Sequence, residues 1–449
     1  MNTSPTPVSY DDVPLSRFHV RVAVSGTGGQ FSDGFVLGII GIVLASATAA
    51  LKLSPLWVGL LGAATLAGLF LGAILTGPIA DRFGRRGIFR WDMLVFAALS
   101  AVQFFVADGV QLFVLRLLLG IVLGADYVVS KSLVTEHSPK KVRGRLMSVL
   151  AIAWAAGYVA AYLIGFLLSG LGHDSWRWML LASAVPALIV LGFRLGVPES
   201  PLWLLQHGRA QEAAAVVRQH AGPHAVLPAA AASAHRGGMR ILFTPKYRKR
   251  TAVGALFYAC QVIPYFALGT FSPQVMHALG VAGTLAAGAV YNIFLLVGAI
   301  LGMVIIDRIS RRAFLIGSFL LAAVLLLGLV LLSPISPILA VALFAAFALV
   351  LSAAANLEFV YPPELFPTEV RASGVGVATA ASRFGSAAST FLLPLVVSGF
   401  GIGTALTSCV AVLAIGAWVT WAWAPETRRE SLAAVEENAA EDVHASSSA

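Results

Sequence analysis

The chain alternates between long apolar runs and short stretches rich in charged residues, Pro or Gly. Each run is long enough to cross the hydrocarbon layer of a bilayer as a helix, which takes about 20 residues. The runs are too long for barrel strands, and backbone groups in lipid must be paired internally. The pattern therefore predicts twelve transmembrane helices, beginning near residues 21, 56, 88, 110, 145, 176, 251, 284, 313, 336, 372 and 402.

Composition supports this assignment. Of 449 residues, 58% are hydrophobic and 11% are charged, and the mean hydropathy is +0.86, far above an ordinary soluble protein. The predicted fold class is an all-α polytopic membrane protein with almost no strand. With two cysteines, neither a disulfide framework nor a zinc cluster is available. No nucleotide-binding loop or catalytic triad is present, so we expect no cofactor, no metal and no enzymatic activity.

The cationic residues show which side of the membrane each loop occupies. Most of the 30 Lys and Arg fall at the two ends of the chain or in alternate loops, whereas Lys52 and Arg177 lie in the opposite loops. The positive-inside rule then places both termini in the cytoplasm. The net charge of +9 follows from this topology and requires no nucleic-acid partner. We predict a monomer in the plasma membrane, the inner membrane of a bacterium.

Three motifs occur twice along the chain at a nearly constant offset. "GPIADRFGRR" at 77–86 is echoed by "IIDRISRR" at 305–312, "EHSPKKVR" by "ELFPTEVR", and "PES" by "PET". Repeats at one offset indicate a duplicated six-helix unit. The predicted domains are an N-terminal bundle over 1–196, a cytoplasmic linker over 197–250, a C-terminal bundle over 251–426 and a disordered tail over 427–449.

These motifs also carry a resemblance along essentially the whole chain. "GPIADRFGRR", "EHSPKKVRGR", "PESPLWLL", "PPELFPTEVRASG" and "PETRRE" resemble the sugar-porter group of the major facilitator superfamily. "GQFSDGFVLGIIG", "GADY" and "CQVIP" are similar to a bacterial branch of metabolite permeases. The resemblance implies two six-helix bundles that rock around a central cavity and open it alternately to each side.

The repeated charges predict a cytoplasmic gate. Asp81 with Arg85 and Arg86 can form charge-assisted bonds to neighbouring helix ends, which would hold in one transport state and break in the other. Glu136 with Arg143, and Glu364 with Arg371, could complete this gate across loops. A glycine permits close helix approach or a tight turn. The alternative is that the arginines only fix the topology, as we interpret Arg90, Lys140 and Lys141. The predicted gate residues are Gly77, Asp81, Gly84, Arg85, Arg86, Glu136, Arg143, Asp307, Arg311, Arg312, Glu364 and Arg371.

Ionisable residues inside the predicted helices are candidates for proton coupling. Asp33 lies about 18 Å along helix 1, near mid-membrane, and Asp126 is at a comparable depth in helix 4. Burial favours the protonated carboxyl, and a nearby Arg116 would favour the ionised one. The resemblance agrees, since proton-coupled sugar porters carry an acid in helix 1 and an arginine at the position of Arg116. "GADY" is more similar to the "GGDYP" of phosphate and organic-ion permeases. The alternative is a structural ion pair.

Polar residues at mid-depth are predicted to bind the substrate. Arg383 could hold a carboxylate or phosphate, whereas Glu358 could hold a cation or sugar hydroxyls, and the two could instead neutralise each other. The resemblance implies that Gln261 matches a sugar-binding glutamine. The complete predicted set is Gln261, Asn292, Asn356, Glu358, Arg383, Trp154 and Tyr158.

The predicted function is secondary active transport of a small polar metabolite, sugar-like or an organic acid, coupled to protons by alternating access. The expected partners are this substrate, protons and the lipid bilayer. An uncoupled facilitator and an organic-ion exporter are alternatives. A membrane sensor fits less well, because such a protein usually carries a folded cytoplasmic extension and this tail is predicted to be disordered. An integral-membrane enzyme fits less well, because the sequence shows no constellation of reactive residues.

Overall fold

The computed structural model describes residues 8–222, 224–226, 239–306, 308–332, 336–366 and 370–427. Nearly all of them are helical. The helices of the first half are α1 (Arg17–Ala50), α2 (Pro55–Phe83), α3 (Arg86–Val102), α4 (Gly109–His137), α5 (Lys140–Leu168), α6 (Ser175–Ala182) and α7 (Ala184–Arg194). The segment after them holds α8 (Pro201–Gln206) and α9 (Ala210–Ala221). The second half contains α10 (Arg248–Thr270), α11 (Ser272–Ala278), α12 (Thr284–Ile305), α13 (Arg311–Leu332), α14 (Pro337–Ala355), α15 (Leu357–Leu365) and α16 (Arg371–Trp423).

Eleven helical segments among the described residues are long and apolar enough to cross a membrane. The last of them, Ser373–Trp423, has 51 residues, which is more than twice the length that one crossing needs. It contains two helices joined at Gly401, whose φ of 82° and ψ of 166° are not helical. The twelve predicted runs therefore all lie in helices, and the all-α membrane fold is confirmed.

The helices present apolar side chains outward, as lipid requires. Large exposed examples occur on several spanning segments, such as Ile74, Val324, Leu331, Ile338 and Phe400. In water such side chains would be buried, because each Å² of apolar surface exposed costs about 25 cal/mol. Their exposure along long helices follows from a lipid environment.

The described helices form two compact units. Unit 1 comprises Met1–Leu37, Gly68–Ala161 and Arg177–Ala234. Its apolar core at one end contains Val22, Phe89, Val129, Leu133 and Val197, contributed by α1, α3, α4 and the segment after α7. Glycines bring α2 and α4 together, because a Cβ at Gly68 would lie 2.2 Å from the carbonyl oxygen of Leu117.

Unit 2 comprises Gly38–Ala67, Tyr162–Trp176 and His235–Ala449. It therefore combines the second half with parts of α1, α2 and α5. These parts pack closely inside unit 2: a Cβ at Gly41 would lie 1.8 Å from the carbonyl oxygen of Thr270, and Tyr162 donates a hydrogen bond to the carbonyl of Leu285 at 3.1 Å. The division of the chain into two halves at 196 and 251 remains a prediction.

Strand is limited to one parallel pair within the described residues. β1 (Val8–Ser9) pairs with β2 (Ala225–Val226), two residues on each side. Tyr10 and Val13 pack with Val217 next to this pair. The pair therefore attaches the segment before α1 to the end of α9, within unit 1.

Candidate functional site

Arg194, at the end of α7, is the centre of a buried ion cluster in unit 1. Its side chain has no exposure, and each of its five N–H groups has an acceptor. Nη1 donates to Asp92 Oδ1 at 2.8 Å and to the Phe89 carbonyl at 3.1 Å. Nη2 reaches Asp126 Oδ1 at 2.6 Å and Ser130 Oγ at 3.1 Å, and Nε donates to the carbonyl of Ser25 at 3.4 Å.

These contacts connect four helices through a single side chain. Ser25 lies on α1, Phe89 and Asp92 on α3, and Asp126 and Ser130 on α4. Asp126 accepts a second bond from Ser130 Oγ at 2.5 Å. A buried guanidinium with two carboxylates is stabilised only when such hydrogen bonds complete the geometry. The cluster is therefore held by α1, α3, α4 and α7 together.

Asp33 lies on α1 beside this cluster and interacts electrostatically with Asp126, Arg194 and Asp92. Its side chain is buried, and Oδ2 accepts one bond, from Gln30 Nε2 at 3.3 Å. Oδ1 accepts none from the described residues. Three carboxyl groups therefore surround one fully bonded arginine, and Asp33 has the weakest compensation among them.

Arg116 is not part of this cluster. It lies ten residues before Asp126 on α4, about 15 Å along the helix. Both terminal nitrogens approach a single acceptor, the Val36 carbonyl, at 3.4 Å, and Nε has no partner in the described residues. Sequence analysis placed Arg116 near Asp33 or Asp126; Asp126 is paired with Arg194 from α7, and the coupling role of Arg116 remains a prediction.

The cytoplasmic gate residues of unit 1 are joined through Glu199, in the "PES" motif. Glu199 Oε2 accepts from the backbone N–H groups of Arg85 and Arg86, at 3.0 Å each, at the start of α3. Arg85 pairs with Glu136, and the Ser200 hydroxyl donates to the same Glu136. Carboxylates at helix N-termini interact favourably with the helix dipole.

The same arrangement occurs in unit 2. Glu426 accepts from the N–H groups of Arg311 at 3.0 Å and of Arg312 at 3.2 Å, at the start of α13. Thr427 donates to Glu364, and Arg311 Nε lies 3.5 Å from Glu364 Oε2. We name these two arrangements the latches: Arg85, Glu136, Glu199 and Ser200 in unit 1, and Arg311, Glu364, Glu426 and Thr427 in unit 2.

Several predicted gate residues have other surroundings than expected or lie outside the described residues. Glu136 and Glu364 pair with arginines of the preceding repeat motif; the predicted partners Arg143 and Arg371 have side chains outside the described residues, as does Asp81. Asp307 lies wholly outside them. A Cβ at Gly77 would meet no described atom within 4 Å, so the expected close helix approach there was wrong.

Gly84 makes the turn into α3. Its φ of +92° lies in the left-handed region, and a Cβ there would lie 2.5 Å from Glu199 Oε2. The glycine therefore leaves room for the carboxylate that binds the start of α3.

Two buried amides of unit 2 carry unused acceptors. Gln261 Nε2 donates to the Leu351 carbonyl at 3.4 Å, and Asn292 Nδ2 donates to the Gly288 carbonyl at 2.8 Å. The carbonyl oxygens of both side chains accept no bond from the described residues. A buried unpaired acceptor is costly, and a ligand hydroxyl or N–H would satisfy it.

The other predicted substrate residues of unit 2 have different surroundings. Asn356 lies between α14 and α15 and donates to the carbonyls of Ala299 at 3.0 Å and Ala353 at 3.1 Å, so its amide joins helices. Glu358 is half-buried at the start of α15, and Arg383 is buried within α16, with 8% of its surface exposed. No contact between Glu358 and Arg383 is established.

Trp154 and Tyr158 lie on α5 in unit 1. Their rings stack with centroids 5.6 Å apart. The backbone of Trp154 also packs on α1, because a Cβ at Gly34 would lie 2.0 Å from the Trp154 carbonyl oxygen. This contact places the aromatic pair next to the α1 segment that carries Asp33.

A cavity of about 560 Å³ lies elsewhere in unit 2. Its walls are mostly apolar and include Leu44, Phe271 and Leu393, together with Gln274 and His277. None of the predicted substrate residues lines it.

Sequence analysis missed four functional candidates. Arg194 was assigned to the cytoplasmic loop, and Asp92 was given no role although it lies within a predicted membrane helix. Burial cost alone marks such residues as candidates. Glu199 and Glu426 lie within the repeated "PES" and "PET" motifs, so the repeat already contained the signal for them.

These features define a multi-pass membrane protein built from a repeated helical unit, with buried ionisable groups in its membrane segments. Residues 19–439 match the family model described as "Sugar (and other) transporter". The chain belongs to this family, a sugar-porter-like group of the major facilitator superfamily.

Relatives in Escherichia coli (strain K12) match almost from end to end. The chain is 42% identical to the inner membrane metabolite transport protein YgcS over 97% of both chains. It is 39% identical to the metabolite transport protein YaaU over 95% of this chain and 96% of that one. The first of these relatives is named as a transport protein of the inner membrane.

Solved structures agree on the fold. A partially occluded inward-open structure of the xylose transporter XylE from E. coli covers 93% of this chain and 100% of its own, with a TM-score of 0.78 and 20% identity. The description of another XylE structure names that protein as a proton:xylose symporter. At this identity the likeness establishes the shared fold.

Proposed function

We propose that this transporter is a proton-coupled symporter of a small polar metabolite, sugar-like or an organic acid. The observation that carries the proposal is the buried cluster in unit 1, where Asp33 and Asp126 lie inside membrane-spanning helices beside a single arginine. Buried carboxyl groups of this kind bind or release a proton when their surroundings change. The proton symport named for XylE supports the same conclusion.

The hydrogen-bonding substrate contacts in this proposal belong to unit 2. The free carbonyl oxygens of Gln261 and Asn292 accept bonds from hydroxyl groups, and Arg383 donates to a carboxylate or to further hydroxyls. Trp154 and Tyr158 offer ring faces to a sugar or an aromatic acid. Arg116 on α4 is a further coupling residue in this proposal, because its guanidinium donates to the carbonyl of Val36, one turn after Asp33 on α1.

Transport follows from rocking of the two six-helix halves, which exposes the site to each side in turn. The latches rigidify the cytoplasmic ends of the helices in one state and open in the other. Both termini are cytoplasmic in this arrangement, and the working unit is a monomer. Asp81, Arg143, Asp307 and Arg371 are proposed gate residues on their repeat positions alone.

The test begins with thermal-shift screening of purified protein against D-xylose, myo-inositol, D-glucuronate and nicotinate, which represent a neutral sugar, a polyol, a sugar acid and an organic acid. The ligand that stabilises the protein is then labelled for uptake into proteoliposomes with an inward proton gradient. Wild type should accumulate it, and Asp33→Asn should lose accumulation but keep exchange of labelled for unlabelled ligand.

The outcomes separate the alternatives. Accumulation by Asp33→Asn that equals wild type contradicts coupling through this residue. Exchange without accumulation in the wild type itself, at any gradient, identifies an uncoupled facilitator. Accumulation that requires an outward instead of an inward proton gradient identifies a proton-coupled exporter.

A further inference from the structure

Two features of the buried cluster go beyond the predicted coupling residues: a third carboxyl, Asp92, and an arginine with every donor in use. Arg194 donates to two carboxylates, to one hydroxyl and to two backbone carbonyls. It has five N–H groups, so none remains for Asp33. An ionised Asp33 would be a third buried negative charge with a single amide bond from its own helix, Gln30 at 3.3 Å.

Burying such a charge is far more costly than burying the neutral acid. Asp126, in contrast, accepts from both Arg194 and Ser130 through one oxygen. The carboxyls therefore differ in their bonds: Asp126 and Asp92 each accept from Arg194 through one oxygen, whereas Asp33 accepts from no cation among the described residues. In all three, the second oxygen has no partner among those residues.

Gly29 brings α1 into direct contact with this ion pair. A Cβ at Gly29 would lie 2.1 Å from Arg194 Nη2 and 2.5 Å from Asp126 Oδ2. Gly29 is one turn before Asp33 on the same helix, so its backbone lies against the pair while Asp33 lies beside it. A displacement of α1 that moves Asp33 must then also slide Gly29 over Arg194 and Asp126.

We propose that Arg194, anchored by Asp92, is the counter-ion of Asp126 and leaves Asp33 as the carboxyl that takes up and releases the proton. Gly29 is the contact through which α1 follows this ion pair. The inference rests on the proposed function only for its role in coupling; the assignment of the proton to Asp33 is independent of transport. Asp92, Arg194 and Gly29 are positioning residues in it.

One further charged group acts on Asp33, and it is Lys131 on α4. Its Nζ lies 3.5 Å from the centroid of the Tyr127 ring, and it interacts electrostatically with Asp33. Lys131 therefore adds a more distant positive charge, and Lys131→Gln serves as a comparison for Arg194 variants.

The test is infrared spectroscopy of purified protein in detergent, following the C=O stretching band of protonated carboxyl groups as pH is raised. Above about pH 6, where exposed carboxyls are already ionised, wild type should still show such a band, and this band should disappear as the pH is raised further. The band should be absent in Asp33→Asn and present in Asp126→Asn. A band that persists in Asp33→Asn and is lost in Asp126→Asn overturns the assignment.

The positioning residues are tested by the pH at which half of this band is lost. Asp92→Asn removes a negative charge, favours ionised Asp33 and should lower this midpoint by about one pH unit. Arg194→Gln removes the positive charge and should raise it by a similar amount, whereas Arg194→Lys should restore most of the shift. Lys131→Gln should raise it less than Arg194→Gln. Unchanged midpoints in Asp92→Asn and Arg194→Gln would overturn the counter-ion role.

Gly29 has a matched control on the same helix. A Cβ at Gly28 would meet Val190 Cγ2 at 2.6 Å, an apolar contact of comparable severity. Both Gly29→Ala and Gly28→Ala should lower the melting temperature, but only Gly29→Ala should raise the midpoint, because it displaces Arg194 from the carboxylates. Equal midpoints in the two variants overturn the role of Gly29.

These readouts separate the inference from the proposed function. If wild type accumulates no probe under a proton gradient while the band follows Asp33, symport fails and the proton assignment stands. If accumulation depends on Asp33 while the midpoint ignores Asp92 and Arg194, symport stands and the counter-ion role fails.

Discussion

The two units bury polar groups of different kinds. Unit 1 holds three carboxyls around Arg194, whose donors are all used inside the protein. Unit 2 holds the amides of Gln261 and Asn292, each with an acceptor that no described residue uses. In a cluster whose arginine has all its N–H groups bonded inside the protein, the carboxyls can still bind a proton. Neutral acceptors without a partner can instead bind the hydroxyl groups of a ligand. This difference agrees with the proposed function, in which the carboxyls of unit 1 carry the proton and the amides of unit 2 bind the substrate.

The largest expected effect is on the stability of unit 1. Arg194→Met leaves Asp92 and Asp126 buried without their cation, at a cost of about 3–5 kcal/mol. Gln261→Met removes one long bond and one unused acceptor, and should cost less than about 1 kcal/mol. Thermal unfolding in detergent at neutral pH compares them. The loss in Arg194→Met should shrink at low pH, where the carboxyls are protonated; equal losses in both variants would contradict the comparison.

Substrate charge is tested next, in unit 2. Arg383 lies about 16 Å into the membrane on α16, counted from Ala372, which is too deep for its guanidinium to reach water easily. If it holds a carboxylate or several hydroxyls through two N–H groups, Arg383→Lys should weaken binding about 10- to 100-fold, although the charge is kept.

The measurement is isothermal titration with the ligand found by thermal shift. Arg383→Ala is the stronger variant, and Asn356→Ser is a control that alters the α14–α15 junction. Wild-type affinity in both Arg383 variants would give Arg383 a structural role and favour a cationic substrate held by Glu358.

The latches should respond alike, because their geometry is repeated. Glu199→Ala and Glu426→Ala each remove the acceptor at a helix N-terminus, at a cost of about 0.5–2 kcal/mol. Melting temperatures of the two single variants should therefore fall by similar amounts. A several-fold difference between them would show that one latch has acquired a role that the other lacks.

The smallest effect concerns His220 on α9, whose ring stacks on Phe18 with centroids 4.0 Å apart. Burial, and then the nearby Arg21 guanidinium, lowers the pKa of His220 below its ordinary value. The folded state then disfavours protonation, so stability is complete above about pH 6.5 and falls below it as the unfolded chain takes up the proton.

His220→Gln removes this dependence. The decrease in melting temperature between about pH 7.5 and pH 5.5 should be smaller in the variant than in wild type. An identical decrease would assign the acid sensitivity to other groups.

Most of the fold could be predicted from the length and spacing of the apolar runs, whereas only part of the candidate site could be predicted from the sequence. Twelve runs were predicted, and the boundary expected near residue 402 is present in α16 as a single backbone kink at Gly401. This kink does not change the apolar pattern. Asp33 and Asp126 were candidates because lipid makes charges costly. Their partner could not be read from the chain, since Arg194 is next to a loop and only the packing of α7 against α3 and α4 turns it inward.

The partners of Glu136 and Glu364 show the same limit. Each acid was assigned to an arginine seven residues later, because sequence spacing was the available guide. The folded chain places Arg85 and Arg311, from motifs far away in sequence, at those carboxylates. The pairs with Arg143 and Arg371 remain predictions. Contacts between distant segments depend on helix packing, which the pattern of one segment does not contain.

The duplicated latch has a consequence for ancestry. Arg85, Glu136 and Glu199 have counterparts in Arg311, Glu364 and Glu426, which is the result that duplication of one six-helix unit predicts. Aligned on the latches, the positions of Asp92, Asp126 and Arg194 are occupied in the second half by Ser318, Ala354 and Trp421. The latch residues therefore occur in both repeats, whereas the residues of the ion cluster occur in the first repeat and not at the matching positions of the second.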